Sequence, residues 1–171
     1  MKKTVYLSIL LGTSVLATLG RVYSTFLAKW KDLSNHLTGD AELDTLMLEV
    51  ASVTKKQYSF ATSHLSKALV ITMVATLLIS LFYLIRKDKK AIYVYLGYLA
   101  LTLVKSIYHF IVSDSVAKLY SDQEMRSIVQ AEAKFSLAST VILLIVYLII
   151  IFVNNRRGSS LALKSSSGID L

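Results

Sequence analysis

Cysteine and proline are both missing from these 171 residues, and each absence removes a class of function. Without cysteine there is no disulfide framework, no thiolate nucleophile and no sulfur-ligated metal site, and the redox state of the compartment leaves no trace in the chain. Without proline nothing enforces a kink, a broken helix or a re-entrant loop of the kind transporters build around their binding sites, so straight helices are expected. Glycine is scarce, at six residues, and no glycine-rich phosphate loop, HExxH or GxSxG motif occurs. The three histidines, His36, His64 and His109, are too far apart to suggest metal ligands. Ser106 and His109 are one helical turn apart, but such pairs are common on helices and indicate no nucleophile. Neither a cofactor nor an enzymatic activity is expected.

What is present is apolar sequence in blocks. Hydrophobic residues make up 54% of the chain, and they concentrate in four stretches: residues 4–20, 68–85, 91–112 and 135–153. A hydrocarbon core about 30 Å thick needs roughly 20 apolar helical residues, with every backbone polar group satisfied inside the segment. The fourth stretch, with its run from Val141 to Val146, is the plainest span, and the third is the most polar. The net charge of +8 sits at the ends of these blocks and forms no stripe of its own, so lipid phosphates are the expected partner and nucleic acid is not.

Basic residues set the orientation. Arg86, Lys87, Lys89 and Lys90 fill the link between the second and third spans, and Arg156 and Arg157 close the fourth. Both sites belong in the cytoplasm, as do the two termini, and the plasma membrane is the expected location. The rival for the first span is a secretory signal peptide, with Met1-Lys2-Lys3 before an apolar stretch and small Thr18 and Gly20 at a cleavage site. Residues 158–171 are rich in serine and read as a flexible tail or a cloning scar.

The helical pattern continues past the membrane, over residues 21–66 and 113–134. Tyr23, Phe26, Trp30, Leu33 and Leu37 recur at helical spacing after the first span. Gly39 suits a left-handed helix end and Asp40 a cap. From Asp40 to Ile85 no glycine interrupts the pattern of Leu43, Leu46, Met47, Val50, Val53 and Phe60. One helix about 70 Å long is therefore expected there, at about 1.5 Å per residue. Ser121 and Glu124 match a capping box before the fourth span, and Val116 and Leu119 extend the third. The fold class is all-α: a polytopic membrane four-helix bundle, up-down-up-down, with helices extending into an extracytoplasmic stalk. The competing arrangement lays these outer segments on the membrane surface as amphipathic helices. Tetraspan proteins share this layout, but their paired extracellular cysteines are missing, and the comparison stops at topology.

Two sets of residues are candidates for function. The third span stacks Tyr98, Thr102, Lys105 and His109 on one helical face. A lysine inside a span needs a partner, a cavity or a route to the headgroups. Glu132, His64 and Lys67 stand at the same level, so a polar pocket of Lys105, His109 and Glu132 lined by Tyr98 and Tyr108 is one reading. The plainer reading lets Lys105 reach the headgroups while His64, Tyr108 and His109 join an interfacial belt. The second set, Phe26, Trp30, Leu33, Leu46 and Val50, forms a candidate surface for a protein partner or a second copy. The expected role is an accessory or immunity-like membrane interaction protein. A small transporter or channel subunit using the Lys105 cluster is the alternative, and a membrane enzyme comes third.

Overall fold

A computed structural model describes residues 5–30 and 39–166, with side chains through residue 155 apart from that at position 42. The described residues form five α-helices, and no strand occurs among them. These are α1 (Val5–Val22), α2 (Ala41–Ala61), α3 (His64–Ile85), α4 (Lys90–Ala117) and α5 (Gln123–Ser166). A π-helical turn, Tyr23–Leu27, closes α1. Four segments are long and apolar enough to cross a membrane: Val5–Leu27, His64–Ile85, Lys90–Ala117 and Gln123–Asn155. The fourth is the most apolar of them and the third the least, as the composition of the blocks predicts.

The buried positions follow from helical periodicity. On α3 they are Ser66, Val70, Met73, Leu77 and Ser80, alternating four and three apart as in a helix seam. They meet Leu7, Leu10 and Leu11 of α1, Tyr95, Tyr98 and Leu99 of α4, and Leu144 and Ile151 of α5 in one cluster. The opposite faces are apolar too: Leu16 is 71% exposed, Ile142 63% and Phe135 75%. Water would not tolerate so much contiguous apolar surface, whereas lipid requires it.

Polar groups hold α1 to α4. The Tyr95 hydroxyl is 2.9 Å from Ser14 Oγ and donates to the Leu10 carbonyl at 3.3 Å. One turn on, the Tyr98 hydroxyl is 3.0 Å from Thr18 Oγ1 and 3.3 Å from the Ser14 carbonyl. The two rings stack with centroids 5.8 Å apart. Thr13 reaches Tyr147 of α5 at 3.0 Å, so α1 is bonded to two neighbours within the apolar layer. A second cluster, Val53, Val112, Val116 and Tyr120 with Val50, Phe60, Met125 and Val129, joins α2 to the adjacent ends of α4 and α5. Burial, reinforced by the Glu49 carboxylate, raises the pKa of the Tyr120 hydroxyl there.

Four expectations from the pattern are corrected. The helix after the first span stops at Leu27: Ala28 N–H bonds Tyr23 O at 2.8 Å and Ala28 turns extended at ψ 133°. Leu33 and Leu37 lie outside the described residues. The single helix from Asp40 to Ile85 is two helices, because Ser63 leaves the helix at ψ 156° and its Oγ accepts from Ser66 N–H at 3.2 Å. A serine cap starts a helix as effectively as glycine ends one. The capping box does not form. Asp122 caps α5 by accepting from Glu124 N–H at 2.9 Å, while the Ser121 amide turns to Glu49 at 3.4 Å. Finally, α5 keeps helical geometry to Ser166, because Leu161, Ala162, Leu163 and Lys164 are strong helix formers that outweigh the serines. Two expectations hold: Gly39 is left-handed at φ 86°, and Asp40 Oδ1 accepts from Leu43 N–H at 3.5 Å.

The α3–α4 link closes by a device the composition does not signal. Lys87 adopts φ 56°, and the amides of Lys87 and Asp88 bond Leu84 O and Tyr83 O at 2.9 and 3.0 Å. This is the double bond of a Schellman ending with lysine in glycine's place. Asp88 Oδ1 then accepts from Lys90 N–H at 2.9 Å to begin α4.

Interhelical hydrogen bonds in membrane proteins contribute about 0.6 kcal/mol on average and about 1.7 at most. Tyr95→Phe, which loses its bonds to Ser14 and Leu10, is expected to destabilise the detergent-solubilised protein by about 1 kcal/mol. Reversible unfolding followed by circular dichroism checks this, and an unchanged midpoint would remove the α1–α4 bonds from any account of stability.

Candidate functional site

Between α1, α2, α4 and α5 lies a cavity of about 840 Å³, and its charged lining is unbalanced. Among the described residues the charged groups on its wall are Arg21, Lys29, Lys105 and Glu132, with His109 beside them. No ion pair joins any of the three cations to Glu132 among these residues. Trp30, Tyr58 and Tyr108 line the same space, and Trp30 lies 6.0 Å from the Tyr58 ring.

Each cation is placed by a local feature of the fold. Arg21 occupies the last turn of α1, one turn beyond the bonded pair Thr18 and Tyr98. Its Nη1 is buried and has no hydrogen-bond partner. A guanidinium nitrogen removed from water without an acceptor is costly. The π-helical turn that follows sets Ser24 and Thr25 on the cavity wall and ends the helix, so that Ala28, Lys29 and Trp30 fold over it. The Ala28 carbonyl freed by this ending accepts from the Tyr58 hydroxyl at 3.1 Å.

Lys105 is held from the α3 side. Its Nζ donates to Ser66 Oγ, and the ammonium sits 5.5 Å from the Tyr108 ring centroid, within the range of a cation–π contact. Ser63 ties the group together, accepting from Ser66 N–H and lying 3.2 Å from the Tyr108 hydroxyl. The break between α2 and α3 therefore creates the support for Lys105. Ser66 is in the first turn of α3, so the lysine head lies at the end of an apolar span.

The structure sorts the candidates drawn from sequence. Lys105, His109, Glu132 and Tyr108 share the cavity wall. Tyr98 and Thr102 do not: Tyr98 is 2% exposed in the α1–α4 seam, and Thr102 donates to the Tyr98 carbonyl at 3.1 Å. Both are buried on α4, and α1 covers that face at Tyr98. His64 is exposed and Lys67 half-buried outside the cavity. Of the candidate partner surface, Phe26 and Leu46 are exposed at 44% and 40%. Trp30 lines the cavity, Val50 packs into the second cluster, and Leu33 lies outside the described residues. The sequence reading missed Arg21, Lys29 and Tyr58. Arg21, Thr25 and Lys29 recur at intervals of four, the spacing of one helical face, and that was the available signal.

Arg21 Nη1 has no acceptor in the fold and lies on a wall shared with two other cations, which costs stability. Arg21→Gln is expected to raise the thermal midpoint of the ligand-free protein by about 2–4 °C, the equivalent of about 1 kcal/mol for a chain of this size. Thermal unfolding in an uncharged detergent measures it, and a fall in the midpoint would reveal a structural partner for Arg21.

A family model described as a domain of unknown function (DUF8777) matches residues 1–160. No curated protein and no solved structure matches the chain.

Proposed function

The chain belongs to the DUF8777 family, and from its cation-lined cavity we propose that it is a non-enzymatic integral membrane accessory protein that binds an anionic ligand. The observation that carries this reading is the buried, unpartnered Nη1 of Arg21 on a cavity shared with Lys105 and Lys29. Ligand sites combine an apolar hollow with a few convergent polar groups, and a charge left unpaired in the free protein is completed by the ligand. Ser106 and His109 both border the cavity, yet no hydrogen bond joins them, which favours binding over nucleophilic chemistry. A channel built around the Tyr98, Thr102, Lys105 and His109 face finds less support, since α1 covers that face at Tyr98.

The proposed setting is the plasma membrane, crossed four times in alternating directions, with both ends and the Arg86–Lys90 loop in the cytoplasm. Paired contacts support the alternation. Ser80 bonds Ala91 O at 3.0 Å and Ser66 meets Lys105, so numbering falls on α3 as it rises on α4. Ser14 with Tyr95 and Thr18 with Tyr98 rise together. On this reading the cavity faces the extracytoplasmic side, and α2 with the second cluster forms the stalk above it, where a protein partner would meet exposed Leu46. The bonds of α1 to Tyr95, Tyr98 and Tyr147 support a retained first span, since its loss would leave those hydroxyls in hydrocarbon.

Two experiments test this. The cysteine-free sequence allows single-cysteine labelling directly: a membrane-impermeant maleimide on intact cells is expected to modify Ser59→Cys and spare Lys89→Cys until the cells are permeabilised. The reverse pattern would invert the orientation, and labelling of both from outside would remove the α3 crossing. For binding, Trp30 is the sole tryptophan and lines the cavity. Inorganic phosphate added to the protein in uncharged detergent is expected to change its fluorescence saturably. Arg21→Gln with Lys105→Met is expected to weaken the response about tenfold or more, the effect of losing a charged hydrogen bond. A double variant that titrates like the wild type would overturn the anion site.

A further inference from the structure

The cavity's shape and level narrow the class of ligand. Its volume of about 840 Å³ far exceeds what a phosphate or carboxylate group fills, and along α5 it extends past Glu132 and Ser136 to Leu137 and Thr140. Its polar end carries the cations together with Trp30, Tyr58 and Tyr108. Tryptophan and tyrosine collect at the membrane–water interface, the level of lipid phosphates. Lys105 meets Ser66 at the start of an apolar span, which sets the ammonium at that same level.

The walls also leave a way in from the side. The π-helical turn packs on α1 and α3, while α5 packs on α4. α1 and α5 meet through Thr13 and Tyr147, more than one turn before Arg21 toward the N-terminal end of α1. Beyond that bond the cavity separates them, with Arg21 and Thr25 on one wall and Glu132 and Ser136 on the other. The sequence neighbours of two of these lining residues, Phe26 beside Thr25 and Phe135 beside Ser136, are 44% and 75% exposed. A ligand crossing between α1 and α5 arrives from lipid.

We infer that the occupant is an anionic phospholipid of the adjoining leaflet, its phosphate between Arg21 and Lys105 and its acyl chains leaving along α5 between Phe26 and Phe135. This rests on the anion-binding reading and specifies its ligand. Three cations facing one carboxylate favour a net negative headgroup, and a choline headgroup would add a further positive charge to the cluster. The bidentate fork of Arg21 matches phosphate oxygens, and its buried Nη1 gains the acceptor it lacks in the free protein.

The test uses Trp30 and lipids brominated near the top of the acyl chain, with the full chain reconstituted in nanodiscs. Brominated phosphatidylglycerol, as a minor component among phosphatidylcholine, is expected to quench Trp30 several-fold more than brominated phosphatidylcholine at equal mole fraction. The preference is expected to disappear in Arg21→Gln with Lys105→Met, and to survive in Lys67→Met, which removes a cation outside the cavity. Equal quenching by the two lipids, or a preference unchanged in the double variant, would overturn the lipid assignment. Saturable binding of inorganic phosphate in detergent alongside equal quenching would leave an anion site for a soluble ligand. Failure of both would remove the site itself.

Discussion

A hydroxyl inside hydrocarbon has no water to fall back on, and the bonds that satisfy Tyr95 and Tyr98 set the position of everything around the cavity. Both rings are buried, at 0% and 2% exposure, and α1 provides their hydrogen-bond partners through Ser14, Thr18 and two backbone carbonyls. This fixes the register of α1 against α4. With Thr18 opposite Tyr98, Thr25 comes level with Lys105 two turns on, and Arg21 lies one turn before it on the same cavity wall. The small side chains of Ser14 and Thr18 let the helices approach closely while their oxygens supply the bonds, which is how membrane helices associate without a hydrophobic drive. Sliding α1 by one residue would unpair both tyrosines at once.

The consequence is a site whose charged lining is unbalanced. Three cations share one cavity with Glu132, and the Lys105 ammonium, given Ser66 and the Tyr108 face, is the better satisfied of the two innermost. Arg21 is left with a bare nitrogen. Structural ion pairs normally bring a carboxylate to each buried cation; here, among the described residues, Glu132 is the one carboxylate on the wall and forms an ion pair with none of the three. Asp114 pairs with Lys118 at 3.2 Å and accepts from Gln130 at 2.9 Å, and Glu49 receives the Ser121 amide. Asp114 and Glu49 are thus held in contacts of their own, away from the cavity.

Much of the architecture was legible from residue order alone, because hydrocarbon imposes a single solution on long apolar segments. Four spans, the polar character of the third and the shared placement of Lys105, His109 and Glu132 all follow from spacing and length. Side-chain partners across helices were not legible, since they depend on which faces meet. Tyr98 occupies the expected face of α4, yet α1 takes it for its own seam, and nothing in the local sequence says so. Arg21 and Lys29 were overlooked for a related reason: basic residues at the end of a span read as interfacial anchors until a cavity is seen beside them. Trp30 likewise sits at a surface spacing but turns inward once the helix ends at Leu27.

The places where regular helix fails are informative in their distribution. The π-helical closure of α1 and the serine-capped break between α2 and α3 interrupt segments whose sequences contain neither proline nor, at those points, glycine. Both interruptions touch the cavity. The first turns Ala28, Lys29 and Trp30 over its mouth, and the second supplies Ser63 and Ser66 to Tyr108 and Lys105. π-turns concentrate at functional sites because the wider turn releases backbone groups and re-aims side chains. A chain selected only for a stable bundle would lose little by continuing both helices, since local propensity favours it. That two separate departures converge on one cluster of cations argues that the cavity is what the irregularities serve.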